Sequence, residues 1–240
     1  MTRHNTTTVD GLSVFYREAG EPQNAKVVLL GGFPASSHQF RSLIPALADR
    51  FDIIAPDYPG FGNTDMPDPA AFAYTFDRLS DVVEGLLLKT GFTRFGLFMQ
   101  DYGGPVGFRI LSRHPEWMGW RILQNTNPYK GGFTTAWDAI RHALWKRRAP
   151  ETETPLLPFL ELEGIKLVYL HGHKRPELIS PDNWNMDFRF MERPHARRVQ
   201  LDLFYDYRTN VALYPAWQAF LRQRQPKTLI LWGQHDIFFT

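Results

Sequence analysis

An aspartate, Asp101, stands where an apolar run gives way to glycine in the stretch RFGLFMQDYGGPVGFRI. Phe95 to Met99 read as a buried strand, and Gly103, Gly104 and Pro105 open an amphipathic helix. So tight a turn forces a side chain at its tip out over the sheet, and nearby backbone N–H groups then point at whatever reacts there. The plainer alternative is a helix N-cap, a position aspartate favours. Gly-Gly-Pro can begin that helix without a cap. Two other strand ends are glycine-rich or polar: Gly31-Gly32-Phe33-Pro34, and Gly233-Gln234-His235-Asp236. Ligands in open parallel sheets sit beyond the carboxyl ends of the strands, so these three ends belong to one candidate site.

The elements that must position them follow from periodicity. TTTVDGLSVFYREAG reads as a hairpin turning on Asp10-Gly11. KVVLL (Lys26–Leu30) and FDIIAP are short continuous apolar runs of the kind expected when a strand is buried on both faces. Helices are expected around Arg41 to Leu47, from Leu79 to Thr90 with Gly91 as its stop, and from about Pro105 to Arg113. A further strand is expected near Trp120 to Gln124. Strand alternating with helix argues for a parallel sheet with right-handed crossovers. From residue 126 to 214 the pattern changes to aromatics, prolines and short helical runs such as FTTAWDAIRHALWKR. PAWQAFLRQ then reads as helix, and TLILWG returns to the buried-strand pattern. The expected organisation is an α/β core over residues 1–125, a mainly helical insertion over 126–214, and the core resumed over 215–240. Insertions of this kind usually cover a site.

Composition narrows the chemistry. Of 240 residues, 43% are hydrophobic and 15% aromatic, enough for a packed core rather than a disordered chain. A formal charge of +2 gives no reason to expect nucleic acid or a membrane surface. Without a single cysteine, disulfides, thiolate catalysis and cysteine-ligated zinc are excluded. No apolar stretch approaches the ~18 residues that span a bilayer. The N-terminus lacks the apolar core of a signal peptide, so the expected location is cytoplasmic. His171, His173 and His195 lack an accompanying acid pattern, and no metal or other cofactor is expected. His235 reads as a surface or packing residue.

At this point the sequence resembles a known family. A strand, sharp turn and helix with glycine after the tip is similar to the nucleophile elbow of α/β-hydrolases. In MQDYG, aspartate stands in the nucleophile's place. LLGGFPASSHQFRSLIP, IIAPDYPGFGNTDMP, MQDYGGPVGFRI and TLILWGQHD resemble the aspartate-nucleophile branch, the haloalkane dehalogenases and epoxide hydrolases. The resemblance implies an α/β-hydrolase fold, with a mostly parallel sheet flanked by helices and a helical cap. Asp101 would displace halide or open an epoxide on a small apolar substrate, leaving an alkyl ester. Water, activated by a histidine that Asp236 orients, would hydrolyse it, with the backbone N–H groups of Phe33 and Tyr102 as oxyanion hole.

Two departures matter. The superfamily generally carries His-Gly where Gly31-Gly32 stand, a change expected to loosen the oxyanion loop. Its catalytic histidine follows one more strand and helix after Asp236, and none of the eight histidines occupies that place. The expectation is a fragment of a longer enzyme, lacking the C-terminal strand and helix. Such dehalogenases also carry a tryptophan after the nucleophile, where Tyr102 stands here. Epoxide hydrolases use two cap tyrosines, and the insertion offers Tyr129, Tyr169, Tyr205, Tyr207 and Tyr214. Tyr169 and Tyr207 are taken as the substrate-binding candidates, while Trp137, with Trp145 and Trp184, keeps the halide reading open. The rivals are an ordinary ester hydrolase, which the aspartate argues against, and a ligand-binding protein that has lost turnover.

Overall fold

The computed structural model describes residues 1–240. Its strands are β1 (Arg3–Val9), β2 (Leu12–Ala19), β3 (Ala25–Leu30), β4 (Phe51–Pro56), β5 (Phe95–Gln100), β6 (Met118–Gln124) and β7 (Thr228–Leu231). Its helices are α1 (Leu43–Leu47), α2 (Phe76–Thr90), α3 (Gly103–Arg113), α4 (Pro150–Glu153), α5 (Leu162–Leu170), α6 (Asp182–Met191) and α7 (Ala196–Arg224). One seven-stranded sheet runs β1-β2-β4-β3-β5-β6-β7. β1 and β2 form the expected hairpin, and Asp10 and Gly11 both take positive φ at its tip. From β4 to β7 every neighbouring pair is parallel. The carboxyl ends of β3, β5, β6 and β7 therefore open on one side.

Helix limits shift by capping and by close packing. α2 begins at Phe76 rather than Leu79, because the Thr75 hydroxyl accepts the N–H of Arg78 and closes the first turn. α3 begins two residues before Pro105, since proline is tolerated within a first turn. Gly103 permits that start: a Cβ there would lie 2.2 Å from the Leu30 carbonyl oxygen. α2 and α3 pack on one face of the sheet within the large apolar core, and a smaller cluster around Ile44 and Phe98 lies on the other.

Between β6 and β7 the chain leaves the sheet for α4 to α7, joined by 3-10 and π turns. α7 runs unbroken for 29 residues, so residue 214, the expected end of the insertion, lies inside it. Pro215 removes a backbone donor there, yet the helix continues. Val199, Leu203, Tyr207, Asn210, Tyr214 and Trp217 are buried at steps of four or three, a single stripe across the proline. Burial of that face outweighs the local penalty. The run TLIL departs from expectation in another way. It pairs with β6 as a parallel strand, but all four residues of β7 are exposed, Ile230 at 63%. An unbroken apolar run reported the pairing correctly and the burial wrongly.

Arg109 ties the insertion to the core. It is 4% exposed, and it donates to Asp77 of α2 at 2.5 Å and to Asn210 and Thr209 of α7 at 2.6 and 3.0 Å. The carboxylate of Asp206, also on α7, accepts the first N–H of α2, from Phe76, at 2.8 Å. Replacing Arg109 by alanine would strand Asn210 in the interior. Denaturant unfolding of Arg109→Ala should show a loss of about 2–3 kcal/mol.

Candidate active site

Asp101 takes φ +49°, a left-handed conformation that aspartate tolerates better than most residues with a Cβ. That single residue reverses the chain between β5 and α3 and lifts its own side chain over the sheet end. The capping alternative does not hold. Tyr102 is the N-cap of α3, and no side-chain hydrogen bond caps the helix. Its Oδ1 accepts the N–H of Phe33 at 2.6 Å, and the N–H of Tyr102 also points at it. The two groups expected to form an oxyanion hole thus converge on the carboxylate.

Close approach explains Gly32, where a Cβ would lie 2.1 Å from Asp101 Oδ1 and 2.4 Å from the Tyr102 backbone nitrogen; at Gly31 a Cβ would meet chiefly the far end of the Gln39 side chain, 1.6 Å from its Nε2. The side chain of Gln39 therefore stands over Gly31, where the family's histidine would begin. The loop is not loose. The Tyr58 hydroxyl donates to the Gly31 carbonyl at 2.8 Å, and Asp57 accepts the Ser37 N–H at 2.6 Å.

Burial pushes the Asp101 carboxyl up to about 7. The N–H groups of Tyr102 and Phe33 pull it down, and the charge of Asp236 pushes it up further. Asp236 is held open toward the same site. Its Oδ2 accepts Asn125 Nδ2 at 2.5 Å, and its Oδ1 accepts the N–H groups of Phe238 and Phe239 at 2.6 and 3.0 Å. Asn125 sits at the carboxyl end of β6 with φ +45°, and its Oδ1 accepts the Gly233 N–H at 3.2 Å. Sequence reasoning missed Asn125. The rule about strand ends could have found it, since NTN follows the β6 run.

Asp101 stands where two cavities meet. One, of about 400 Å³, is mostly polar and contains Asp236, Asn125, Gln100 and Gln124, with His171, His173 and His235 along its wall. No histidine hydrogen-bonds Asp101 or Asp236. The other is a slot of about 30 Å³ with nine hydrophobic residues among the ten that line it, including Trp137, Leu156 and Phe204. Phe33, Asp101 and Phe238 belong to both walls.

The candidate aromatics separate by what their polar atoms do. Tyr169 lines the larger cavity, but its hydroxyl donates to Asp187. Trp145 donates its indole N–H to the Phe204 carbonyl at 2.9 Å. Trp184 lies beside Tyr169. Trp137 lines the slot, and its buried N–H has no partner. Tyr207 is fully buried against it, with ring centroids 4.6 Å apart. The hydroxyl of Tyr102 is likewise buried without a partner, and those of Tyr207 and Tyr214 are buried facing each other. Burial drives the Tyr207 phenol far above its ordinary value, and Tyr214 and Asp101 add to the shift. Tyr129 is exposed, and Tyr205 lies under the Arg208 guanidinium. No group of three His, Asp or Glu side chains could hold a metal ion. No helix is long and apolar enough to cross a membrane.

A carboxylate lifted at a strand–helix turn, with two converging amides and a second acid near it, thus stands at the carboxyl ends of a parallel α/β sheet. The chain belongs to the α/β-hydrolase fold family, whose model matches residues 26–240. It is 37% identical, over 99% of its length and 82% of the relative's, to an uncharacterized hydrolase of Saccharomyces cerevisiae. A haloalkane dehalogenase of Psychrobacter cryohalolentis is 35% identical over 44% of this chain. A soluble epoxide hydrolase of a Corynebacterium species is 34% identical over the same share. Each of those two matches covers 35% of the relative. The chain is therefore a hydrolase of this fold, related to both groups.

A raised carboxyl binds its proton more tightly folded than unfolded. It adds stability below the unfolded value near 4, and that contribution is lost as pH rises to about 7. Above pH 7 the buried charge is a cost. Asp101→Asn, which keeps an acceptor for the Phe33 N–H, should gain about 1–3 kcal/mol at pH 8 and little at pH 4. Thermal melts at the two pH values read this directly.

Proposed function

We propose that this hydrolase opens small epoxides through an ester on Asp101. The reading is carried by the apolar slot that Asp101 closes, with the partnerless Trp137 N–H in its wall and the Tyr207 phenol buried against Trp137. A carboxylate oxygen of Asp101 bonds to an epoxide carbon, and the carbon–oxygen bond breaks. The leaving oxygen stays on the substrate and needs a proton. Tyr207, kept protonated by its surroundings, donates it or a hydrogen bond to the developing alkoxide. The product is a hydroxyalkyl ester. Water from the polar cavity then adds to the ester carbonyl, and the N–H groups of Phe33 and Tyr102 receive the oxyanion. Collapse of that intermediate breaks the ester bond, releases the diol and restores the Asp101 carboxyl. A histidine oriented by Asp236, as the resemblance implies, would take the water's proton, and none is bonded to Asp236 among the residues of this chain.

Tyr102 in the position after the nucleophile favours the epoxide over the halide, since it offers no indole there. Trp137 favours a second reading, displacement of halide from an alkyl halide, because an N–H in an apolar slot can solvate a departing anion. Tyr169 is less suited to either role, its hydroxyl being held by Asp187.

The first half-reaction uses only groups described above, so alkylation tests it. Incubation with 1,2-epoxyhexane should add the whole epoxide mass to the peptide containing Asp101. The rate should climb with pH and level off above about 7, as the attacking carboxylate forms. Incubation with 1-bromobutane should add a butyl group only if the second reading holds. Tyr207→Phe should slow the epoxide adduct by about 100-fold or more and the bromide adduct much less. Trp137→Phe should do the reverse. Absence of any adduct with both probes would sink the mechanism.

A further inference from the structure

Arg193 stands in the short segment that joins α6 to α7, and both helices set its place. Its N–H donates to the Phe190 carbonyl at 3.2 Å, and its own carbonyl accepts the Ala196 N–H at 3.1 Å. The guanidinium leaves the insertion for the turn after β4, where it donates to the Gly62 carbonyl at 2.5 Å and the Thr64 carbonyl at 3.0 Å. The peptide unit that carries the Gly62 carbonyl also carries the Asn63 N–H, and that group donates to Asp57 Oδ2 at 2.9 Å. Asp57 Oδ1 in turn accepts the Ser37 N–H at 2.6 Å. The turn closes tightly on the acid: Gly62 takes φ +49°, and a Cβ there would lie 2.1 Å from Asp57 Oδ2. Asp57 is 1% exposed, and a carboxylate buried this deeply is costly unless its bonds hold. Nothing in the proposed chemistry uses Arg193.

We infer that Arg193 is a positioning residue: through the Gly62–Asn63 peptide and Asp57 it couples the seating of the helical insertion to the aim of the Phe33 N–H at Asp101. The role rests on the reaction proposed above. Two physical effects make the coupling. A carbonyl that accepts from a cation polarises its peptide, and the N–H at the other end becomes a stronger donor. A carboxylate is planar, so fixing Oδ2 with Asn63 sets where Oδ1 meets Ser37. Ser37 ends the loop that begins at Phe33, and the Phe33 N–H is bonded to Asp101 at 2.6 Å. A misplacement near 1 Å at a reacting centre can cost about 100-fold. Arg17 of β2 also supports this end of the loop, donating to the Ser37 hydroxyl at 3.1 Å, but it belongs to the core and does not follow the insertion.

The test has two independent readouts. The first is amide hydrogen exchange followed by NMR, which needs no substrate. In Arg193→Ala the amides of Asn63, Ser37 and Phe33 should exchange about tenfold faster or more, while those within β3 and β5 keep their rates. Arg193→Lys, which keeps the charge but not the planar fork, should fall between. The second is cleavage of the Asp101 ester by hydroxylamine at pH 8, after alkylation with 1,2-epoxyhexane and removal of the excess. Hydroxylamine adds to the ester carbonyl and expels the diol, leaving a hydroxamate on Asp101, so the rate reports the oxyanion donors. Arg193→Ala should slow that cleavage about tenfold or more, and Arg193→Lys should recover part of the loss.

A purely structural role would lower the melting temperature of Arg193→Ala and quicken exchange across the sheet alike, with the ester of the folded protein cleaved at the normal rate. That result overturns the proposal. So does exchange that quickens at Asn63 alone. If the unaltered chain forms no adduct while Ser37 and Phe33 respond as described, the mechanism on Asp101 fails and the coupling of the loop to Arg193 stands.

Discussion

A carboxylate drawn partly out of water at the meeting of two cavities, and held by two amides, is the constraint on which this site is organised. Asp101 cannot be moved outward without losing the Phe33 and Tyr102 N–H groups, nor inward without meeting Gly32. Its left-handed backbone, the absence of side chains at Gly32 and Gly103, and the early start of α3 are consequences of one requirement. The strand must end, the helix must begin, and a charged side chain must leave the turn toward a cavity. Local strain of this kind persists only where the surroundings over-determine it. Here they do so through the sheet, because β3 and β5 are neighbours and bring the two loops together.

The surroundings also divide the space above the carboxylate. One wall carries Asp236, Asn125 and two glutamines, and the other is an aromatic and aliphatic slot. Asp101 lies on the boundary, so on the proposed reaction ester formation and ester hydrolysis draw on different environments. Behind the slot, Trp137, Phe76, Trp145 and Tyr102 pack around the Tyr207 ring.

Much of this was legible in the chain, because the signals are short and local. KVVLL, FDIIAP and FGLFMQ are buried runs, DG is a turn, and an acid before Gly-Gly-Pro has few other uses. What the sequence could not show was long-range. TLIL reads as buried, yet burial depends on what packs against β7. Pro215 reads as a break, yet the stripe from Val199 to Trp217 carries α7 through it. Tyr169 and Tyr207 look equivalent as letters, yet Tyr169 donates to Asp187 while Tyr207 is sealed among aromatic rings. Asn125 shows at a strand end, but its partner Asp236 is over a hundred positions away.

The economy of the oxyanion loop shows why its donors need so firm a hold. On the proposed reaction the same two N–H groups face, in turn, an ionised carboxylate, a neutral ester carbonyl and a tetrahedral oxyanion. The ester is the weakest acceptor of the three. A loop held only by its bond to Asp101 would relax as the ester formed, and would have to be reordered as water attacked. Anchors that do not change during the reaction remove that cost: Tyr58 on the Gly31 carbonyl, Asp57 on Ser37, and the aromatic contact of Phe33 with Phe204. The loop is thereby fixed by bonds that the chemistry never breaks, and its aim at the reacting carbon does not depend on the state of the nucleophile.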